Sequence, residues 1–224
     1  MTRDNGPTPS ARRAEVALDK LDDLAAEYAG AAIEALHVEN LLEHIPVFKT
    51  ALVAAKVIGS VRDHLLLKKL AIYLRAISII PANERRTMIA RLAADQSFSE
   101  DLGEHLIELL DRVDGRRKPA MLGAVFAAYA FDSIDSKMLR RLNWAIQNLP
   151  SMEIDAVRLL DTFNREKSGI EKTARQWPDR LSMQAIANAG LAEPDNLASG
   201  IWYKLNETGA KFIELELDGV NPAV

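Results

Sequence analysis

The chain has 224 residues, a formal net charge of −4 and no cysteine, which excludes disulfides, thiol catalysis and thiolate metal sites. Its hydrophobic share of 48% is that of a globular protein with enough apolar side chain to build a core. Met1–Ser10 is polar with two prolines and leads into no apolar stretch, so no secretory signal is expected, and the expected location is the cytoplasm, with a peripheral membrane site as its variant.

Residues 1–10 read as a disordered tail. A long alanine-rich helix is expected from Ala11 to Leu42, with Val16, Leu24, Tyr28 and Leu36 along it. Within it Glu34 and His37 form an E-x-x-H unit and His44 follows seven residues later. A di-iron bundle needs a second such unit and two more glutamates; the ligand set is incomplete and no metal is expected.

A hydrophobic hairpin is expected over residues 45–80. Its limbs are Pro46–Ser60 and Asp63–Ile79, broken around Gly59. The first limb is apolar over most of its circumference, with Lys49 and Lys56 on one stripe. The second places Leu66, Leu70, Tyr73 and Ile77 at helical spacing. Neither limb is an unbroken apolar run of about 20 residues, so neither reads as an ordinary membrane span. Residues 45–92 hold nine basic and two acidic side chains, net +7, whereas residues 1–44 hold four and nine, net −5. Two accounts fit this block. It neutralises the acidic helix before it, or Lys49, Lys56, Arg62, Lys68, Lys69 and Arg75 meet an anionic surface such as lipid.

Further helices are expected in order. One runs from a cap at Asn83 to Ala94. The next opens at a capping box, Ser97–Glu100, carries Leu102, Leu106, Leu110 and Val113, and ends at Asp114-Gly115. Pro119 opens a helix with Leu122, Phe126 and Tyr129. Asp135 caps one with Leu139, Leu142, Ile146 and Leu149. Pro150-Ser151 leads into Met152–Phe163, with Ile154, Val157 and Leu160 inward. Residues 11–150 therefore read as one helical domain, and Phe48, Leu52, Leu70, Leu106 and Phe126 as core.

After Phe163 the character changes. Residues 164–180 read as polar and irregular. A helix over Leu181–Ala189 ends at Gly190; a polar loop, a strand over Ile201–Leu205 and a helix from Asn206 follow. Gly190-Leu191 and then Tyr203, Leu205, Asn206 and Gly209 resemble winged-helix domains, with asparagine where their pattern carries threonine. The resemblance spans about 70 residues and implies a winged-helix-like α+β domain at 151–224. The predicted fold class is thus mainly α, a multi-helix bundle followed by that small domain. Ile45, Pro46, Thr50 and Ala51, then Arg62, Asp63, Leu65, Lys68, Lys69 and Leu70, are similar to the hairpin of uncharacterised bacterial and phage helical proteins and, more loosely, of the Abi-alpha abortive-infection family. That likeness implies a role in phage–host conflict.

No phosphate loop, dinucleotide fingerprint, nucleophile elbow or zinc-protease motif occurs in the chain. The expectation is a protein without catalytic residues or cofactor. Three functions follow: a helical interaction protein with a protein partner or self-association, a winged-helix DNA-binding regulator, and a membrane-acting effector using residues 45–80. For the second, Arg180, Gln184 and Lys204 are the DNA-facing candidates. Residues 151–224 hold eight basic and twelve acidic side chains, which favours protein contact over DNA, because DNA binding leaves a basic footprint.

Overall fold

A computed structural model describes residues 61–77, 80–81, 84, 87, 105–166, 178–197 and 200–220. The expected helix at Ala11–Leu42, the limb Pro46–Ser60, the capping box Ser97–Glu100 and the core candidates Phe48 and Leu52 lie outside these residues, and of the helix expected from Asn83 only Glu84 and Thr87 are described, both helical. The fold is mainly helical, with one small antiparallel two-stranded sheet near the C-terminus.

The helices are α1 (Val61–Ile77), α2 (residues 105–112), α3 (Arg117–Ala130), α4 (Ser136–Asn148) and α5 (Ile154–Glu166). Then come α6 (Arg180–Asn188), the strands β1 (Ala192–Leu197) and β2 (Gly200–Leu205), and α7 (Glu207–Glu214). Short 3-10 turns occupy Ser151–Glu153 and Leu217–Gly219.

The apolar stripes are where the sequence places them. Leu70, Tyr73 and Ile77 on α1, Leu122, Phe126 and Tyr129 on α3, and Leu139, Leu142, Ile146 and Leu149 in and just after α4 are buried. Ile154, Val157 and Leu160 line α5 in the same way. Leu66 and Leu106 differ, since both are only half-buried against the core edge. One cluster of buried side chains runs from Leu70 to Leu217 and draws on every described helix and both strands.

Helices α1 and α3 pack closely at Gly123. A β-carbon on Gly123 would lie 2.5 Å from the Ala76 β-carbon and 2.8 Å from the Tyr73 carbonyl. Glycine is therefore a packing requirement there, and Tyr73 meets Phe126 beside it with ring centroids 6.1 Å apart. Lys69 of α1 donates to the Asp111 carbonyl in the last turn of α2 at 3.0 Å, a cation meeting the negative end of a helix.

Caps decide the boundaries. Gly115 holds a left-handed φ of 67° just after α2, and Asp135 accepts from the Met138 N–H at 2.7 Å at the start of α4. Several boundaries move from their expected places, α1 among them, which spans Val61–Ile77 instead of Asp63–Ile79. Helix α3 begins two residues before Pro119, because proline costs nothing where the first N–H groups lack intrahelical acceptors anyway. A 3-10 turn at Ser151–Glu153 precedes α5, which continues through Glu166. Helix α6 starts at Arg180 because Asp179, rather than a later residue, accepts from Ser182 N–H. The expected polar loop after Gly190 is strand β1. Its sequence, Ala-Glu-Pro-Asp-Asn-Leu, has little strand propensity, but pairing with β2 from Ala192↔Leu205 to Leu197↔Gly200 decides the conformation.

Residues of the expected irregular stretch carry structure too. The Asn164 side chain donates to the Tyr203 carbonyl at 3.1 Å and accepts from the Leu205 N–H at 2.9 Å. It thus serves as a one-residue third strand on β2. The 3-10 turn Leu217–Gly219 is tied down by charge: the buried Asp218 carboxylate is paired with Arg158, and Arg117 bonds both the Asp218 carbonyl and Asp155.

Lys118, 3% exposed, is the one buried lysine among the described residues. Its ammonium pairs with Asp114 and reaches the Gln147 carbonyl at 3.4 Å. Desolvation pushes the Asp114 carboxyl upward, but hydrogen bonding by Lys118 and Ser151, together with the Lys118 charge, outweighs it and leaves the group below its ordinary value. A depressed folded-state value means that the pair stabilises above the unfolded aspartate value of about 3.9, and that this stabilisation is lost as pH falls through the folded value.

Two expectations follow from this packing. Gly123→Ala should destabilise the chain by about 1–3 kcal/mol in urea unfolding, despite alanine's higher helix propensity, because α1 has to move away. Asp114→Asn should melt below the parent chain at neutral pH, and the difference should shrink as the pH falls through the folded-state value of the parent carboxyl.

Candidate functional site

The C-terminal end of α6 organises the surface that carries functional character. There the Gly190 N–H donates to the Ala187 carbonyl and the Leu191 N–H to the Ile186 carbonyl, at 2.9 and 3.1 Å. This is a Schellman cap, with Gly190 at a left-handed φ of 78°. Helix α7 docks onto that turn. Asn206 caps α7 by accepting from the Gly209 N–H at 3.0 Å, and donates from its own amide to the Gly190 carbonyl at 3.0 Å. Its backbone N–H bonds the Leu191 carbonyl at 3.1 Å. A β-carbon on Gly209 would lie 2.1 Å from that same carbonyl, so no other residue fits. The Tyr203–Gly209 pattern noted in the sequence is the pattern of this joint.

Beside the joint is an open cleft of about 650 Å³. Helix α4 supplies Arg140, Arg141 and Trp144; the start of α7 supplies Glu207 and Thr208; β1 supplies Glu193. Arg141 pairs with Glu207 at 3.0 Å, and Lys204 pairs with Glu193 at 3.1 Å. Trp144, 59% exposed, stands on the polar face of α4 with its ring edge over Gly190.

Two more large apolar side chains are exposed on or near α6. Met152 on the adjoining 3-10 turn is 84% exposed and Leu181 in the first turn of α6 is 81% exposed. The turn and α6 are in contact, and α6, about 14 Å long, has Leu181 in its first turn and Trp144 beside its C-terminal Gly190. Between them lie Gln184 and Asn188, hydrogen-bonded to each other at 2.9 Å.

The DNA-facing candidates are placed as follows. Arg180 and Lys204 are exposed, Lys204 with Glu193 as its partner. Gln184 accepts from the Tyr203 hydroxyl at 2.6 Å, which ties α6 to β2. The anionic-surface candidates lie elsewhere. Lys49 and Lys56 are outside the described residues, as is the Arg62 side chain. Lys68 and Lys69 are half-buried on α1 and Arg75 is exposed in its last turn; each makes a further interaction within the chain. Glu34, His37 and His44 are also outside the described residues, and His105 is exposed on α2. Among the described residues no three histidine, aspartate or glutamate side chains gather as metal ligands, and no helix is long and apolar enough to cross a membrane.

Sequence reasoning missed Trp144, Met152 and Leu181. Their signal was present. Each lies two residues from a buried stripe residue, Leu142, Ile154 and Met183 respectively, and two residues on a helix is a turn of about 200° to the opposite face. Compared with protein-family models, curated proteins and solved structures, the chain has no match.

The joint yields a direct expectation. Asn206→Ala removes the cap of α7 and the bond to Gly190 together, and should cost about 1–2 kcal/mol in denaturant unfolding. Asn206→Asp, which retains the cap but not the donor, should fall between the two.

Proposed function

We propose that the protein is a non-enzymatic interaction protein that docks a protein partner on the outer face of α6, between Trp144 and the pair Met152 and Leu181. The observation that carries this reading is the exposure of those three large apolar side chains around one short helix. Tryptophan is among the side chains that dominate binding energy at protein interfaces, and an exposed apolar patch rimmed by polar residues marks an interaction site.

The C-terminal part, α6 through α7, takes a winged-helix-like role in this reading, with α6 in the recognition position. A DNA reader there would present basic and polar side chains to phosphate and base edges. Helix α6 instead presents Leu181, and its only basic residue is Arg180. The resemblance of the Ile45–Ala51 and Arg62–Leu70 stretches to abortive-infection proteins supports a setting in phage–host conflict. For a membrane-acting effector, α1 would have to give up the buried face it shares with α3, which weighs against that use.

Photo-crosslinking tests the proposal. A benzophenone amino acid at position 181 is expected to give protein adducts in cells, and the same group at the exposed Lys137 position is not. Anisotropy titration with long duplex DNA at low salt is expected to show no binding tighter than about 10 µM. Nucleic-acid adducts at position 181, or tight salt-dependent binding lost in Arg180→Ala with Lys204→Ala, would give the DNA-binding reading instead.

A further inference from the structure

The chain has six methionines, and Met121, Met138, Met152 and Met183 are among the described residues. Met121, Met138 and Met183 are buried in the core, whereas Met152 is 84% exposed. The turn that carries it, Ser151–Glu153, is held on both sides of that residue. The Glu153 N–H donates to the Pro150 carbonyl at 2.9 Å, the Ser151 Oγ is withdrawn from water, and Ile154 is fully buried. Met152 stands between these anchored neighbours, so the fold itself presents its thioether to solvent.

Access to an oxidant is therefore unequal among these methionines. Hydrogen peroxide oxidises a thioether by direct oxygen transfer. A sulfur lone pair attacks one peroxide oxygen, the O–O bond breaks, an S–O bond forms, and the other oxygen leaves as water with both protons. Sulfur loses two electrons and the peroxide gains two. The product is a polar sulfoxide in place of a flexible apolar side chain. The reaction needs a path from solvent to the sulfur, which Met152 has and the three buried methionines lack. A sulfoxide at 152 disturbs no core packing. It does add a polar group that a covering partner would have to desolvate.

We propose that Met152 is a peroxide-sensitive switch on the docking face: its thioether belongs to the apolar surface that a protein partner covers, and its sulfoxide releases that partner. The inference rests on the protein-docking reading. The turn that carries Met152 is in contact with α6, the helix whose first turn exposes Leu181. Leucine at 152 would supply a similar apolar area without the redox chemistry. The change is reversible, because methionine sulfoxide reductases return the thioether at the expense of a thiol reductant.

The test uses the full chain with the benzophenone amino acid at position 181, and the same chain carrying Met152→Leu. Each is treated with hydrogen peroxide, cleared of oxidant with catalase, and photolysed in an extract of the native cells. Peptide mass mapping is expected to show one added oxygen on Met152 before any on Met121, Met138 or Met183, with the melting temperature unchanged. Protein crosslinks should fall by about tenfold in the treated parent chain, and return after incubation with methionine sulfoxide reductase and dithiothreitol. In treated Met152→Leu they should stay at that variant's untreated level. Met1 and Met88 are present in both chains, so a difference between the two belongs to Met152. Oxidation of Met152 no faster than that of the buried methionines, crosslinks unchanged by its oxidation, or an equal loss in Met152→Leu would overturn the switch and leave the docking reading intact. Absence of protein crosslinks before any peroxide is added removes the docking reading, and the switch with it.

Discussion

The contact between Gly209 and the Leu191 carbonyl is the constraint on which the C-terminal half depends. Two backbones meet where a side chain would normally stand, and only glycine allows it. The approach lets one asparagine, Asn206, serve both sides: it caps α7 and bonds the turn that ends α6. With both helix ends held at one point, the chain from residue 192 to residue 205 leaves and returns to the same place. A return path of that length closes as an antiparallel pair, so a segment of low strand propensity becomes β1. The floor of the cleft, Ala189, Gly190, Asn206 and Thr208, is the surface of this joint.

Elements before and after the joint are fastened to one another by polar groups rather than by apolar packing alone. Asn164 extends the edge of β2 from α5, and Phe163 stacks on Trp202 at 5.4 Å beside it. Arg158 and Arg117 clamp the turn after α7 onto α5 and α3. These cations are consumed by folding. The same holds for Lys69 at the end of α2 and for Lys118 beneath Asp114. A census of basic residues therefore overstates what remains for a ligand, and the distribution of unmatched charge is the better guide to function. Arg140 beside Trp144 is one of the cations, with Lys137 and Arg180, that have no ion-pair partner among the described residues.

The proposed docking reading places function on the polar face of α4 and the outer face of α6 rather than on the basic block of residues 45–92. An amphipathic helix reserves its outward side for charged and polar groups. Where that side instead carries tryptophan or leucine, the apolar surface is left exposed by the fold itself, and burial by a second chain recovers its hydrophobic free energy.

The sequence by itself determined what depends on neighbours within a turn or two. The stripes of α3, α4 and α5, the caps at Asp135 and Asn206, and the glycine stops at 115 and 190 all rest on periodicity and on local backbone hydrogen bonds, which a linear reading contains. Tertiary structure alone decided the rest. Strand β1 exists because β2 is beside it; Gly123 and Gly209 matter because Ala76 and Leu191, distant in sequence, lie where their side chains would be; Asn164 finds its partners about 40 residues away. The cleft is of the same kind, since α4 and the start of α7 are separated by nearly 60 residues and meet only once Leu142, Ile146, Phe212 and Ile213 share a core. Local rules describe each element's preferences, but which surfaces meet, and which charge is left without a partner, is settled by packing among residues that the sequence holds far apart.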